Sequence, residues 1–198
     1  MSTKPTATTT RRIPKRKPDA RIERTREALG DAIIELMQEK AFEEITVQHV
    51  LDRAGVSRST FYVHYRDKND LFLSDVEDFW QLVANMLDHR EEKTDRVAAV
   101  RELFAHVSQA GEFYKTLKAN GRVHDVMELG QGHIARGIEK RLARIPRTAS
   151  LSAVKRVAMS HALSGSLFSL LTWWLNHGMK ETPKEMDEMF HEIVWKGV

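Results

Sequence analysis

"ITVQHVLDRAGVSRSTFYVHYRDKNDLF", residues 45–72, carries short helical patterns separated by tight breaks. Thr46 is a good N-cap residue, and Val47, Val50 and Leu51 follow it at helical spacing, so a helix opens there. Gly55 ends it, because glycine takes the left-handed conformation that closes a helix cheaply. Ser57 then caps a very short helix running to about His64, and Asp67 caps a longer one that starts at Lys68. A helix, a tight turn and a second helix leaving at a steep angle make a helix-turn-helix.

Within that unit, Val47, Val50, Leu51, Ala54, Val56 and Phe61 can hold the pair against a preceding helix. Arg58, Ser59, Thr60, Tyr62 and His64 are then left facing outward. A guanidinium, hydroxyls and ring donors on a short exposed helix suit the major groove of DNA. A helical hairpin with a polar, solvated face fits the same spacing.

Working outward, residues 1–19 are rich in Thr, Pro and basic residues and lack apolar periodicity, which predicts a disordered basic arm. Ile22, Leu29, Ile33, Leu36 and Met37 predict a first helix over 21–39, and Phe42 and Ile45 are expected to tuck beneath the next elements. The helix from Lys68 should reach about His89, with a buried stripe of Leu71, Val76, Phe79, Leu82, Val83 and Met86. Amphipathic segments follow near 94–108, 112–119 and 123–144, with Gly111, Gly121, Gly130 and Gly132 as expected breaks or bends. Long helices over 150–177 and 183–195 complete the chain. The fold class is all-α: an arm at 1–19, a three-helix helix-turn-helix head at 20–67 and a helical bundle at 68–198.

The 198 residues are 41% hydrophobic and 30% charged, enough for a real core. The chain has no cysteine, which rules out disulfides, thiolate metal sites and a cysteine nucleophile, and suits the cytoplasm. A twin arginine at 11–12 lacks a following apolar region, so export is not expected. The weakly polar run 162–175 is too short to cross a membrane. No HExxH, P-loop or Gly-x-Ser-x-Gly pattern occurs, and His124 with Glu128 is only a two-ligand fragment. Neither an enzyme nor a metal or cofactor is expected. The net charge of +3 is uneven: residues 1–26 hold nine Lys/Arg against Asp19 and Glu23, whereas residues 27–70 hold five against nine acids. The arm is either a solubilising tail or a flexible element that neutralises phosphates.

The stretch 45–72 closely resembles the tetracycline-repressor (TetR) family of bacterial transcription regulators. The shared features are a Thr opening helix two, Ala-Gly-Val-Ser at the turn, Thr-Phe-Tyr in helix three, His-Tyr at its end, and Lys then Leu opening helix four. The resemblance implies DNA-binding positions at Thr46, Gln48, Ser57, Arg58, Ser59, Thr60, Tyr62, His64 and Lys68. Arg58, Ser59 and Thr60 match positions facing bases, Tyr62 and His64 match positions reaching phosphates or base edges, and Lys68 matches one holding a phosphate. Phe61 and Tyr65 match packing positions. Arg58-Ser59 is this chain's own pairing, so the operator does not carry over.

In the carboxy-terminal part, 150–177 looks apolar nearly all round and should be buried on every side. Ala158, Ala162, Gly165, Ser169 and Thr172 form a small-residue stripe that a partner helix could approach closely, and Met186, Phe190 and Ile193 form a stripe on the last helix. These are the expected homodimer interface, which resembles the family's four-helix interface. A fully buried central helix in a monomer is the alternative. Phe79, Met86, Phe104, Phe113, Met127, His161, Phe168 and Trp173 could line an effector cavity, or simply form core. The sequence thus implies a homodimeric, non-membrane regulator that binds a palindromic double-stranded operator and is a repressor released by a small molecule. The rival is a helical protein–protein adaptor.

Overall fold

The helical periodicity resolves into nine α-helices across residues 20–88 and 96–196, the part of the chain that the computed structural model describes. They are α1 (Ala20–Glu39), α2 (Val47–Ala54), α3 (Arg58–His64), α4 (Lys68–Asp88), α5 (Val100–Gln109), α6 (Gly111–Ala119), α7 (Val123–Leu142), α8 (Ala153–Asn176) and α9 (Pro183–Lys196). A single 3-10 turn, Phe42–Glu44, joins α1 to α2, and no strand occurs among the described residues. The expected basic arm and residues 89–95 lie outside the described residues.

Helix α1 buries Leu29, Ile33, Leu36 and Met37 against α2 and α4. Helix α4 leaves this head and lies along α7, which also packs on α8; α5 pairs with α9. On α4 the buried row is Leu71, Phe72, Val76, Trp80 and Val83, while Leu82, expected in it, is exposed. Trp80 fills the turn between Val76 and Val83, which rotates Leu82 about 100° off the packed face.

Gly130 and Gly132 do not interrupt α7, which runs through both. Gly130 instead gives room for a neighbour: a Cβ there would collide with the Trp80 indole and with Phe168 of α8. The indole crosses α7 at this glycine, donates Nε1–H to the Val126 carbonyl at 2.8 Å, and meets the Phe168 ring at 5.3 Å between centroids. Three helices are keyed together by one missing side chain.

The 3-10 turn joins head to body. The Phe42 N–H donates to Asn120 Oδ1 at 2.5 Å, and Asn120 Nδ2 donates to the Met37 carbonyl at 3.1 Å. The Arg122 guanidinium lies 4.3 Å from the Phe42 ring centroid and 4.9 Å from that of Phe72. Residues just before α7 thus grip the link between α1 and α2.

Helix α8 is buried on one face only. Ser160, Ser164, Leu167, Phe168, Leu171, Trp174 and Leu175 point inward, whereas Val154 (79% exposed), Val157, Ala158, His161, Ala162, Ser169 and Trp173 face out. Met186 and Phe190, expected at an interface, belong to the protomer's own core: Phe190 is 1% exposed, because that side of α9 packs on α5. Ile193 and Met189 remain outside. Beside this packing, Asp187 and His191 are buried together with Arg96 as their partner. The Val97 N–H donates to His191 Nε2 at 3.2 Å. Burial, reinforced by the Arg96 charge, pushes the His191 pKa down to about 4.

Gly130→Ala should destabilise the fold by about 1–3 kcal/mol through overpacking, read as a lower urea midpoint. His191 is held neutral, so the stability it confers is complete above its ordinary value near 6.5 and is lost as pH falls from there toward about 4. The urea midpoint should therefore drop more steeply between pH 7 and pH 5 in the native protein than in His191→Gln, and equal slopes would refute that assignment.

Candidate nucleic-acid interface

Helices α2 and α3 are each opened by a side-chain cap. Thr46 Oγ1 accepts from the His49 N–H at 3.2 Å while His49 Nδ1 accepts from the Thr46 N–H at 3.3 Å, a reciprocal cap in which histidine takes the place usual for Glu or Gln. Gly55 ends α2 at φ 65°, a conformation that strains any residue with a Cβ. Ser57 Oγ accepts from the Thr60 N–H at 3.2 Å and starts α3. Phe61, 0% exposed, anchors that helix, with its ring 5.7 Å from that of Tyr65. The Tyr65 hydroxyl in turn accepts from Arg26 Nε at 3.2 Å, tying α3 back to α1.

With Phe61 inside, α3 turns Arg58, Ser59, Tyr62 (51% exposed) and Val63 (77% exposed) outward. Thr60 and His64 are half-buried at its edges. Val63 was not among the residues expected there. Its position two residues beyond Phe61, about 200° round the helix, would have placed it. On such a face an isopropyl group is suited to a thymine methyl. Arg58 Nη2 donates to Gln48 Oε1 at 3.0 Å, and Gln48 Nε2 donates to Asp52 Oδ1 at 2.8 Å, so these side chains of α2 and α3 form a chain. Thr46 and Ser57 serve first as caps, their oxygens already accepting backbone protons.

Lys68, expected to hold a phosphate, has its ammonium turned inward. Its ammonium donates to the carbonyls of Phe42 (2.6 Å), Glu43 (3.1 Å) and Ile45 (2.7 Å) and lies 4.7 Å from the centroid of the Phe42 ring. Three N–H donors meet three acceptors, so none remains. The start of α4 is likewise occupied. Asp67 Oδ1 accepts from the Asn69 and Asp70 N–H groups, both at 2.8 Å, and Asp70 accepts from the Arg66 N–H at 2.9 Å. The Arg66 guanidinium and N–H hold the Asp70 carboxyl below its usual range.

The residues expected to line an effector cavity are dispersed. Phe104 is fully buried against Trp174, at 4.9 Å between ring centroids, and Phe168 against Trp80. Phe79 stacks on His106, and Phe113 and Met127 are half-buried at the edge of the core. His161 is exposed on α8, so it is neither a core group nor part of a cavity between helices, and the Met86 side chain lies outside the described residues. Phe168 and Trp173 do share one open groove of about 590 Å³ with Gln131, Gly165, Ser169, Thr172, Asn176 and His177. The groove lies on the outer face of α8, where two residues of the expected cavity meet three of the expected small-residue stripe. Among the described residues there is no cluster of three or more metal-ligating side chains and no helix long and apolar enough to cross a membrane.

Residues 29–74 match the family model described as bacterial regulatory proteins, tetR family, and residues 98–196 match a model of a transcriptional regulator C-terminal region. A TetR transcriptional regulator from Streptococcus agalactiae is similar in structure, with a TM-score of 0.61 and 24% identity, over 89% of this chain and 96% of that one. A TetR-family regulator from Syntrophomonas wolfei superposes with a TM-score of 0.64 at 17% identity, over 89% and 97% of the two chains. The HTH-type transcriptional regulator YxbF of Bacillus subtilis is 18% identical over 170 residues, which span 83% of this chain but 43% of that protein. The two family matches cover the head and the bundle, and the chain belongs to the TetR family of bacterial regulatory proteins.

Proposed function

We propose that the protein is a homodimeric cytoplasmic repressor that holds a palindromic operator with two copies of α3 and releases it when a small molecule binds. The observation that carries this reading is the outward face of α3, where Arg58, Ser59, Tyr62 and Val63 stand together on a helix anchored by Phe61. A face of that size is one major-groove reader, and a palindrome needs two of them about 34–36 Å apart, or a multiple of that turn. The outer face of α8 supports the pairing. No Asp, Glu, Lys or Arg occurs from Val157 to Met179, and Val157, Ala158 and Ala162, beside the groove that Gly165 and Ser169 line, leave room for a helix to approach closely. Ile193 of α9 adds an exposed apolar side chain. The groove beside Trp173 supports a small-molecule effector: it combines two aromatic rings with uncharged amides and hydroxyls.

An effector that prefers one separation of the heads must shift DNA binding, and DNA must weaken the effector by the same factor. Selection of binding sites from a random duplex pool tests the reading directly. A repressor of this kind returns an inverted repeat, and its removal from the cell raises transcription beside that repeat. A protein that selects no sequence, or whose removal lowers that transcription, is something else.

Arg58→Ala should relax preference at one base pair in each half-site, because a bidentate arginine–guanine contact carries roughly 1–3 kcal/mol of discrimination. An unchanged consensus with weaker binding overall would make Arg58 a phosphate contact. Ala162→Glu places a charge in the middle of the exposed α8 face without touching the core. It should yield a folded monomer whose operator affinity falls by a factor on the order of 10² or more, the avidity of two linked contacts. Sedimentation beside operator titration decides this: a monomer of undiminished affinity excludes the dimeric mechanism.

A further inference from the structure

We infer that Asp52 is a positioning residue for base recognition, acting on Arg58 through the Gln48 amide. The inference rests on Arg58 being a base reader. Asp52 lies on α2, four residues after Gln48 and so on the same helix face, while Arg58 opens α3 across the turn. A carboxylate only accepts, so Asp52 Oδ1 takes the amide Nε2–H at 2.8 Å and leaves the amide no choice of orientation. Gln48 Oε1 must then point the other way, where it receives Arg58 Nη2 at 3.0 Å. A flipped amide would set its NH2 against the guanidinium, donor against donor. One edge of Arg58 is therefore tethered while its remaining N–H donors stay available for O6 and N7 of a guanine.

This arrangement accounts for an acidic residue near a surface that meets phosphates. Asp52 costs affinity for DNA in general, since its charge repels the backbone, but it orders the side chain that discriminates among bases. An asparagine in its place would be nearly isosteric and uncharged. Its amide can donate as well as accept, however, so it would admit both orientations of Gln48 and free Arg58.

The test uses the full chain, its selected duplex, single-base variants of that duplex and a random duplex. Arg58→Ala first identifies the base pair that Arg58 reads. At that pair, Asp52→Asn should lower discrimination roughly 2- to 12-fold, the cost of re-ordering one rotamer-rich side chain. Affinity for the random duplex should hold or rise. Asp52→Glu, which keeps the carboxylate, should restore discrimination, and Asp52→Asn should change nothing further at that pair in the Arg58→Ala background. A general loss of stability would lower both affinities and cannot imitate this split. Undiminished discrimination in Asp52→Asn overturns the inference, as does an equal loss at every base pair. A loss at a different pair also overturns it, making Asp52 a reader in its own right. Failure of the underlying reading is recognised separately: the native protein then selects no sequence, or Arg58→Ala leaves every base preference intact, and the inference falls with it.

Discussion

The Lys68 ammonium is the interaction on which the head depends. It stands at the first turn of α4 and gathers the carbonyls of Phe42, Glu43 and Ile45, of which that of Phe42 also accepts the Ile45 N–H within the turn at 3.1 Å. Charged hydrogen bonds of this kind contribute about 1.5–3 kcal/mol each where they are shielded from water, and those to the Phe42 and Ile45 carbonyls are partly buried. By fixing the 3-10 turn, Lys68 also fixes where Thr46 opens α2, and hence where α3 points. Asn120 and Arg122 hold the same turn from the body. Phe42 is thus enclosed by one cation from α4 and another from the segment before α7, with Phe72 edge-on at 5.6 Å.

Much of this head is legible in the sequence because its determinants are local. Thr46, Gly55 and Ser57 act within three or four residues of their own positions, and Phe61 is the one large apolar residue buried on so short a helix. Lys68 is different. A lysine at a helix start reads as a phosphate ligand, and nothing in its neighbours shows that a distant turn offers it three carbonyls. Gly130 reads as a break because the residue that needs its missing side chain, Trp80, lies 50 positions earlier. The exposed half of α8 is hidden in the pattern because Ala, Ser and Gly occupy both its faces, so periodicity does not separate inside from outside. Met186 and Phe190 form a clear stripe, but a stripe names no partner, and α5 is what it meets. Asp52 and Gln48 stand at an (i, i+4) spacing that reads as an ordinary surface pair, and only the orientation of the glutamine gives Asp52 meaning.

The body is organised around keyed contacts more than bulk hydrophobicity. Trp80 passes over Gly130 and bonds to Val126, Ser164 of α8 donates to the Gln131 carbonyl of α7 at 2.8 Å, and Asp187 binds Arg96 beside His191. Each permits one relative setting of its two helices, because a shift by a single turn would leave a buried polar group unpaired. Removing Arg96 would strand the buried Asp187 carboxylate, whereas the intact pair serves mainly to set α9 against the segment that leads into α5. The outer faces of α8 and α9 are thereby presented in a defined geometry.

The carboxylates of Asp67 and Asp70 at the start of α4 bear on how the protein finds a target among a whole chromosome of alternatives. Non-specific affinity for duplex DNA is mostly counterion release and grows with each phosphate neutralised. Here the strongest natural attractor of an anion in the head, a helix terminus, is already occupied by the chain's own acids, and residues 27–70 carry nine acidic against five basic side chains. By charge alone, residues 27–70 offer little hold on DNA of the wrong sequence, and such hold has to come from the basic excess of residues 1–26. With roughly 10⁶–10⁹ competing sites in a genome, occupancy follows the ratio of correct to incorrect binding rather than affinity itself. Weakening the denominator raises that ratio as surely as one more base contact, and it shortens every visit to a wrong address.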